Sequence, residues 1–162
     1  MNKRSCWVIF FVAVAVFLAA DLALKIWSVA NLQGAPNRVL IPGVLGLTYF
    51  ENPGAFFGFL ADFNARWPLA VMKTAILGGL LWYYNRLPLE TRFWAVRVPI
   101  ILIFAGGAGN LVDRVQLGVV RDMIQFLFIN FPIWNLADAY VTVGVIALVF
   151  VSFFVVKDVP FP

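Results

Sequence analysis

Four long apolar stretches separated by short polar clusters set the pattern of this chain, at about residues 6–27, 67–84, 98–112 and 136–156. Helices of roughly 20 apolar residues cross the ~30 Å hydrocarbon layer of a bilayer, so the pattern predicts an all-α membrane protein with four transmembrane helices. One loop, residues 28–66, carries two β-prone pieces, VLI and LTYF, set off by Pro42-Gly43 and Asn52-Pro53-Gly54. Those turn signals predict a small extracytoplasmic sheet or hairpin at the membrane surface. Residues 113–135 form a second loop on the same side, and NRLPLETRFWAVR connects runs two and three on the other. The first run follows Met1-Asn2-Lys3-Arg4, as a secretory leader would. It continues past Asp21 to Lys25 and Trp27 without a small-residue cleavage site, so we read it as a retained anchor.

Composition leaves no room for a separate soluble domain. Of 162 residues, 63% are hydrophobic and 12% charged, with mean hydropathy +0.92. The whole chain, 1–162, is read as a single polytopic membrane domain. The net charge of +4 comes from basic residues flanking apolar runs, which suits interface anchoring and not a nucleic-acid stripe. Trp7, Trp27, Trp67, Trp82, Trp94 and Trp134 sit at or beside predicted span ends, where indole prefers the headgroup layer. Lys3, Arg4, Arg86, Arg92, Arg97 and Lys157 fall on one side and Lys25, Arg38, Arg66, Arg114 and Arg121 on the other. The basic N-terminus and basic middle loop place both termini in the cytoplasm.

The chemistry is narrowed by what is missing. No histidine excludes His-dependent triads, HExxH zinc sites and imidazole shuttles. One cysteine, Cys6, excludes an internal disulfide and a cysteine metal cluster, and no metal or cofactor is expected.

The acids gather on one side. Asp21 lies near the outer end of run one, Asp113 at the outer end of run three, Asp122 in the following loop and Asp138 at the start of run four. Along AGGAGNLVDR, Gly106, Gly107 and Gly109 allow close helix approach, while Asn110, Asp113 and Arg114 share a face. That trio serves either a site or a polar clamp between helices. Asp122 reads either as a functional carboxylate or as a solvated loop acid, and Asp138 as functional or as an acid at a helix N-terminus.

Two carboxylates at an apolar boundary cannot both ionise easily, so they share a proton. One can then take a proton from water while the other polarises a carbonyl, which is aspartyl hydrolysis of an amide. A Ser–Lys dyad of Lys25 and Ser28 is a competing hydrolase reading, with Lys25 otherwise a snorkelling anchor. A carboxylate-lined proton path and a purely structural membrane protein also stay open.

Five motifs occur in order: DLALK with Asp21 and Lys25; ENPGAFFG with Asn52, Gly54 and Ala55; GGAGNLVDR with Asn110, Asp113 and Arg114; GVVRD ending in Asp122; and NLAD with Asn135 and Asp138. In this combination the chain resembles the lipoprotein signal peptidases (signal peptidase II), four-span bacterial aspartyl proteases. The resemblance implies a catalytic pair Asp122 and Asp138, supported by Asp21, Lys25, Asn52, Gly54, Asn110, Asp113, Arg114 and Asn135. It implies cleavage of diacylglyceryl-modified prolipoproteins N-terminal to the modified cysteine, in the bacterial cytoplasmic (inner) membrane near its extracytoplasmic face. Membrane lipid and globomycin-type cyclic peptide inhibitors are the further partners it implies. The family's surface sheet and short interfacial helix would correspond to residues 38–59 and part of 121–130, with Phe56, Phe57 and Phe59 covering lipid and peptide. Leu22, Leu24, Met123 and Trp134 depart from the family's usual residues.

Overall fold

A computed structural model describes residues 2–54 and 66–156. Its elements are α1 (Lys3–Leu32), β1 (Arg38–Ile41), β2 (Leu45–Asn52), α2 (Arg66–Arg86), α3 (Trp94–Leu117), β3 (Val120–Phe126) and α4 (Leu136–Phe154), with a 3-10 turn at Thr91–Phe93 leading into α3. Each of the four apolar runs is therefore a helix. Among the described residues, three helical segments are long and apolar enough to cross a membrane: Lys3–Leu32, Thr91–Leu117 and Leu136–Phe154.

Helix α1 starts at Asn2, whose side chain accepts from the Ser5 N–H at 2.8 Å. Its buried residues, Cys6, Phe10, Val14, Asp21, Lys25, Ser28 and Leu32, recur at spacings that trace one stripe. The upper half of that stripe is apolar and the lower half polar, so the same face serves two purposes. Helix α3 is the hub, packing against α1, α2 and α4. The glycines that promised close approach deliver it. A Cβ on Gly106 would collide with the Ala137 carbonyl and Val141 of α4, and one on Gly109 with the Asp21 carboxylate of α1. At the α3 C-terminus, Gly118 takes a left-handed φ of 81° and donates to the Arg114 carbonyl, turning the chain straight into β3.

The strands form one antiparallel sheet in the order β1-β2-β3. The expected hairpin is β1–β2, turned through Gly43 at φ 71°. The third strand is a correction: the interfacial helix expected within 121–130 is absent, and Val120–Phe126 is extended instead. The cause is tertiary. This segment pairs with β2, some seventy positions earlier in sequence, and gives that strand's open edge a partner. The loop expected from 113 also begins later, because α3 runs on to Leu117 and keeps Asp113 and Arg114 helical. In the β2–β3 register Asp122 faces Phe50 while Asn52 faces Val120, which makes Asn52 and Asp122 diagonal neighbours on one face.

Candidate active site

Asp122 is carried by β3 and Asp138 by the first turn of α4, and Asn135 ties them together. Asn135 is the N-cap of α4: its side-chain oxygen accepts from the Asp138 N–H at 3.0 Å, and the Asp138 carboxylate accepts from the Asn135 N–H at 3.2 Å. The reading of Asp138 as a helix N-terminal acid is thus correct as local structure, and it fixes the carboxylate's direction. The amide nitrogen of Asn135 donates to Asp122 Oδ1 at 2.6 Å. Asn52 donates to Asp122 Oδ2 at 3.0 Å and accepts from the Gly54 N–H at 3.1 Å. Asp122 is buried, not a solvated loop acid.

A second ring of contacts orients the first. The Lys25 ammonium can only donate. It lies 3.0 Å from Asn110 Oδ1, which turns the Asn110 nitrogen toward Asp138 Oδ1 at 2.7 Å. Lys25 also pairs with Asp21 at 2.9 Å and with Asp113 at 3.5 Å, and Asp21 accepts from the Ala137 N–H at 3.0 Å. Helix α1 thereby holds the beginning of α4. Lys25 is fully buried, so it is no snorkelling anchor. The Ser28 hydroxyl donates to the Lys25 carbonyl at 2.8 Å and Lys25 is paired with carboxylates, which leaves no Ser–Lys dyad.

Arg121, adjacent to Asp122 in sequence, turns away from it and pairs with Asp113 at 2.6 Å. That pair holds the Arg121 guanidinium above its usual range. Arg114 does not clamp Asp113. It donates to the carbonyls of Pro53 and Gly54, each at 2.7 Å, and of Gly118 at 3.0 Å, so it fixes the turn that presents Asn52.

Asp122 and Asp138 line one cavity of about 440 Å³ that Asn52, Asn110, Lys73 and Trp134 also border. Burial pushes the Asp122 carboxyl up to about 7, and the neighbouring Asp138 adds to the rise against the lowering pull of Asn52, Asn135 and Lys25. Every proposed site residue is therefore in the network or one contact from it. Among the described residues no three His, Cys, Asp or Glu side chains converge in a way that could hold a metal ion. Phe56, Phe57 and Phe59 lie outside the described residues.

Two cavity residues have positions that the sequence reading does not assign to them. Trp134, read as an interface anchor, bridges Ile124 of β3 through paired main-chain bonds and packs its ring against Phe126 at 5.4 Å. Lys73 was passed over altogether. Its signal was visible, since a lysine in the middle of the second apolar run is expensive in lipid. Met123, another departure from the expected pattern, is buried beneath β3.

Comparison with known proteins gives one answer. Residues 13–154 match the family model of signal peptidase (SPase) II. A lipoprotein signal peptidase of Streptococcus thermophilus (strain CNRZ 1066) is 40% identical over 142 residues, covering 86% of this chain and 89% of that protein. One from Streptococcus pyogenes serotype M5 (strain Manfredo) is 36% identical, covering 92% and 93%. A solved bacterial membrane enzyme, determined by the in meso method at 2.3 Å, superposes with TM-score 0.77 at 27% identity over 92% of this chain and 89% of its own. A second, at 1.9 Å, gives TM-score 0.77 at 26% identity over 92% and 93%. The chain belongs to the signal peptidase II family.

Proposed function

We propose that this protein removes signal peptides from bacterial prolipoproteins as a membrane aspartyl endopeptidase, cleaving N-terminal to the diacylglyceryl-modified cysteine. The observation that carries the reading is the pairing of Asp122 and Asp138 on one cavity wall, bridged by Asn135, with the Asp122 carboxyl raised to about 7. At neutral pH such a pair holds a proton on Asp122, while Asp138, in the first turn of α4, accepts from the Asn110 side-chain N–H and the Asn135 main-chain N–H. Asp138 takes a proton from water, Asp122 polarises the scissile carbonyl, and the water oxygen adds to the carbonyl carbon. Collapse breaks the C–N bond, with a proton passing from the pair to the leaving nitrogen. Asp21, Lys25, Asn110, Asp113 and Arg114 position the pair and the Asn52–Gly54 turn, and touch no reacting atom.

In this reading α2 is the fourth span, the chain is one polytopic domain of the cytoplasmic membrane, and both termini face the cytoplasm. The sheet then lies on the extracytoplasmic lipid surface, supported by the exposed apolar side chains of Val39, Leu40 and Ile41 on β1. Globomycin-type cyclic peptides would compete for the same cavity. Asp122→Asn and Asp138→Asn should each lower processing of a lipidated prolipoprotein peptide by about a thousandfold or more while the protein still inserts. Turnover near that of the wild type by either variant would sink the pair.

A further inference from the structure

Lys73 lies on α2, seven residues or about 10 Å along the helix from Arg66. Arg66 bonds the Val115 and Gln116 carbonyls at the end of α3, and Leu77 packs on Gly107. Lys73 falls between those two contacts, level with Asn110, and borders the cavity together with Asp138. It is half-buried, and among the described residues its ammonium has neither an ion pair nor a hydrogen bond. The other cation on the cavity wall, Arg114, is taken up by three carbonyls.

An unpaired ammonium on a half-buried wall is costly, so a ligand that brings acceptors to Lys73 is favoured here. A formal anion is a poor fit beside Asp138. Neutral carbonyl oxygens suit the ammonium without adding a charge beside the carboxylates.

We propose that Lys73 binds main-chain carbonyl oxygens of the substrate on the signal-peptide side of the scissile amide, a reading that rests on the proposed function. The cavity continues past Asp138 to Thr142 and Val143, about one turn further along α4. An apolar signal helix rising out of the bilayer enters from that end. It must unwind before the scissile bond, and its last carbonyls lose their helical partners where no water is at hand. A lysine at a helix C-terminus satisfies such carbonyls and favours the negative end of the helix dipole. Lys73 is thus a substrate-binding residue that makes unwinding tolerable, distinct from the pair that performs the chemistry.

The test uses the full-length enzyme in lipid vesicles, a lipidated prolipoprotein peptide, and the same peptide with a main-chain ester replacing an amide among the last residues of the signal segment. An ester carbonyl is a weaker acceptor. Lys73→Met should raise KM about tenfold with kcat within about threefold, and Lys73→Arg should recover most of the loss. The ester should cost the wild type about tenfold in kcat/KM and the Lys73→Met enzyme almost nothing. An equal ester penalty in both enzymes, or an unchanged KM in Lys73→Met, overturns the inference. So does a shifted pH profile at constant KM, which would make Lys73 a charge acting on the aspartates. Failure of the wild type to process the unmodified peptide would instead refute the proposed function itself.

Discussion

Helix α3 buries one arginine near each end, and both guanidinium groups donate to main-chain carbonyls. Arg97 donates to the carbonyls of Tyr84, Leu87 and Pro88 at 3.2, 2.9 and 3.3 Å, and stacks 4.5 Å from the Tyr84 ring. Those carbonyls belong to the last turn of α2 and the two residues that follow it. Around them Trp7, Phe10, Phe93 and Val96 close an aromatic-rich core, and the Tyr84 hydroxyl donates to the Cys6 carbonyl at 2.9 Å. Arg114 uses the same chemistry on the Pro53, Gly54 and Gly118 carbonyls. Its surroundings are Asp113, Asn110, Asn52 and the aspartate pair. One arginine welds helices where nothing else happens; the other fixes a turn that presents a donor to Asp122. Burial and bonds to main-chain carbonyls therefore do not distinguish a structural cation from a functional one. What the held carbonyls carry next does.

The sharpest way to break that contrast is to remove each guanidinium. Arg114→Gln should lower kcat/KM on a lipidated peptide by about a hundredfold, because the Asn52 turn loses its anchor, with a smaller loss of thermal stability since that turn can reach water. Arg97→Gln should do the reverse. Taking their buried donor from the Leu87 and Pro88 carbonyls costs about 2–4 kcal/mol of stability, while activity per folded molecule stays within about threefold. Matched losses of activity and stability in both variants would erase the distinction.

The pH dependence should also belong to one end only. Asp122 is raised from 3.8 to about 7, so its proton is on the pair below that pH and is lost above it. Cleavage should fall as pH rises through about 7, roughly tenfold per unit on the alkaline side. Stability carries the same sign: with the folded-state value raised, the folded protein binds the extra proton between about 4 and 7. Asp122's contribution therefore declines over that window as pH rises. The Asn52 donor lowers the Asp122 value, so Asn52→Ala should move the alkaline limb of activity to higher pH even as turnover drops. Arg97→Gln should leave that limb in place. A limb that ignores Asn52 but follows Arg97 would contradict the assignment.

How much of this was legible in sequence follows from the range of the forces involved. The four helices were readable because hydrophobic runs are local, and the β1–β2 hairpin because the β-prone pieces VLI and LTYF and the Pro42-Gly43 turn are local too. Strand β3 was not, since its partner is β2 and nothing within residues 120–126 reports that pairing. The capping box of Asn135 and Asp138 is likewise local, whereas the Asn135 bond to Asp122 needs the folded chain. Within its own run Lys25 reads equally as an anchor or as half of a Ser–Lys pair, because its partners Asp113 and Asn110 come from another helix; only the motif resemblance puts it in the site. The motif resemblance named the candidate site residues, and the geometry divides them into acids, bridging amides and anchoring cations.

The smallest expected effect tests the face of α1 where apolar packing gives way to the site. Ser28 is fully buried and close to Lys25 in sequence, so it invites a nucleophilic role. Its hydroxyl is committed to the Lys25 carbonyl within its own helix, a contact worth about 1 kcal/mol or less. Ser28→Ala should therefore keep cleavage within about twofold of wild type, measured on the same lipidated peptide. Lys25→Met should lower it far more, because Asn110 would lose the charged one of the two donors, Lys25 and Asn135, that turn its amide toward Asp138, and Asp21 and Asp113 would lose their shared cation. If instead Ser28→Ala abolished turnover in a protein with an unchanged melting profile, the hydroxyl would be part of the chemistry, and the boundary between packing and site on α1 would lie one turn further along the helix.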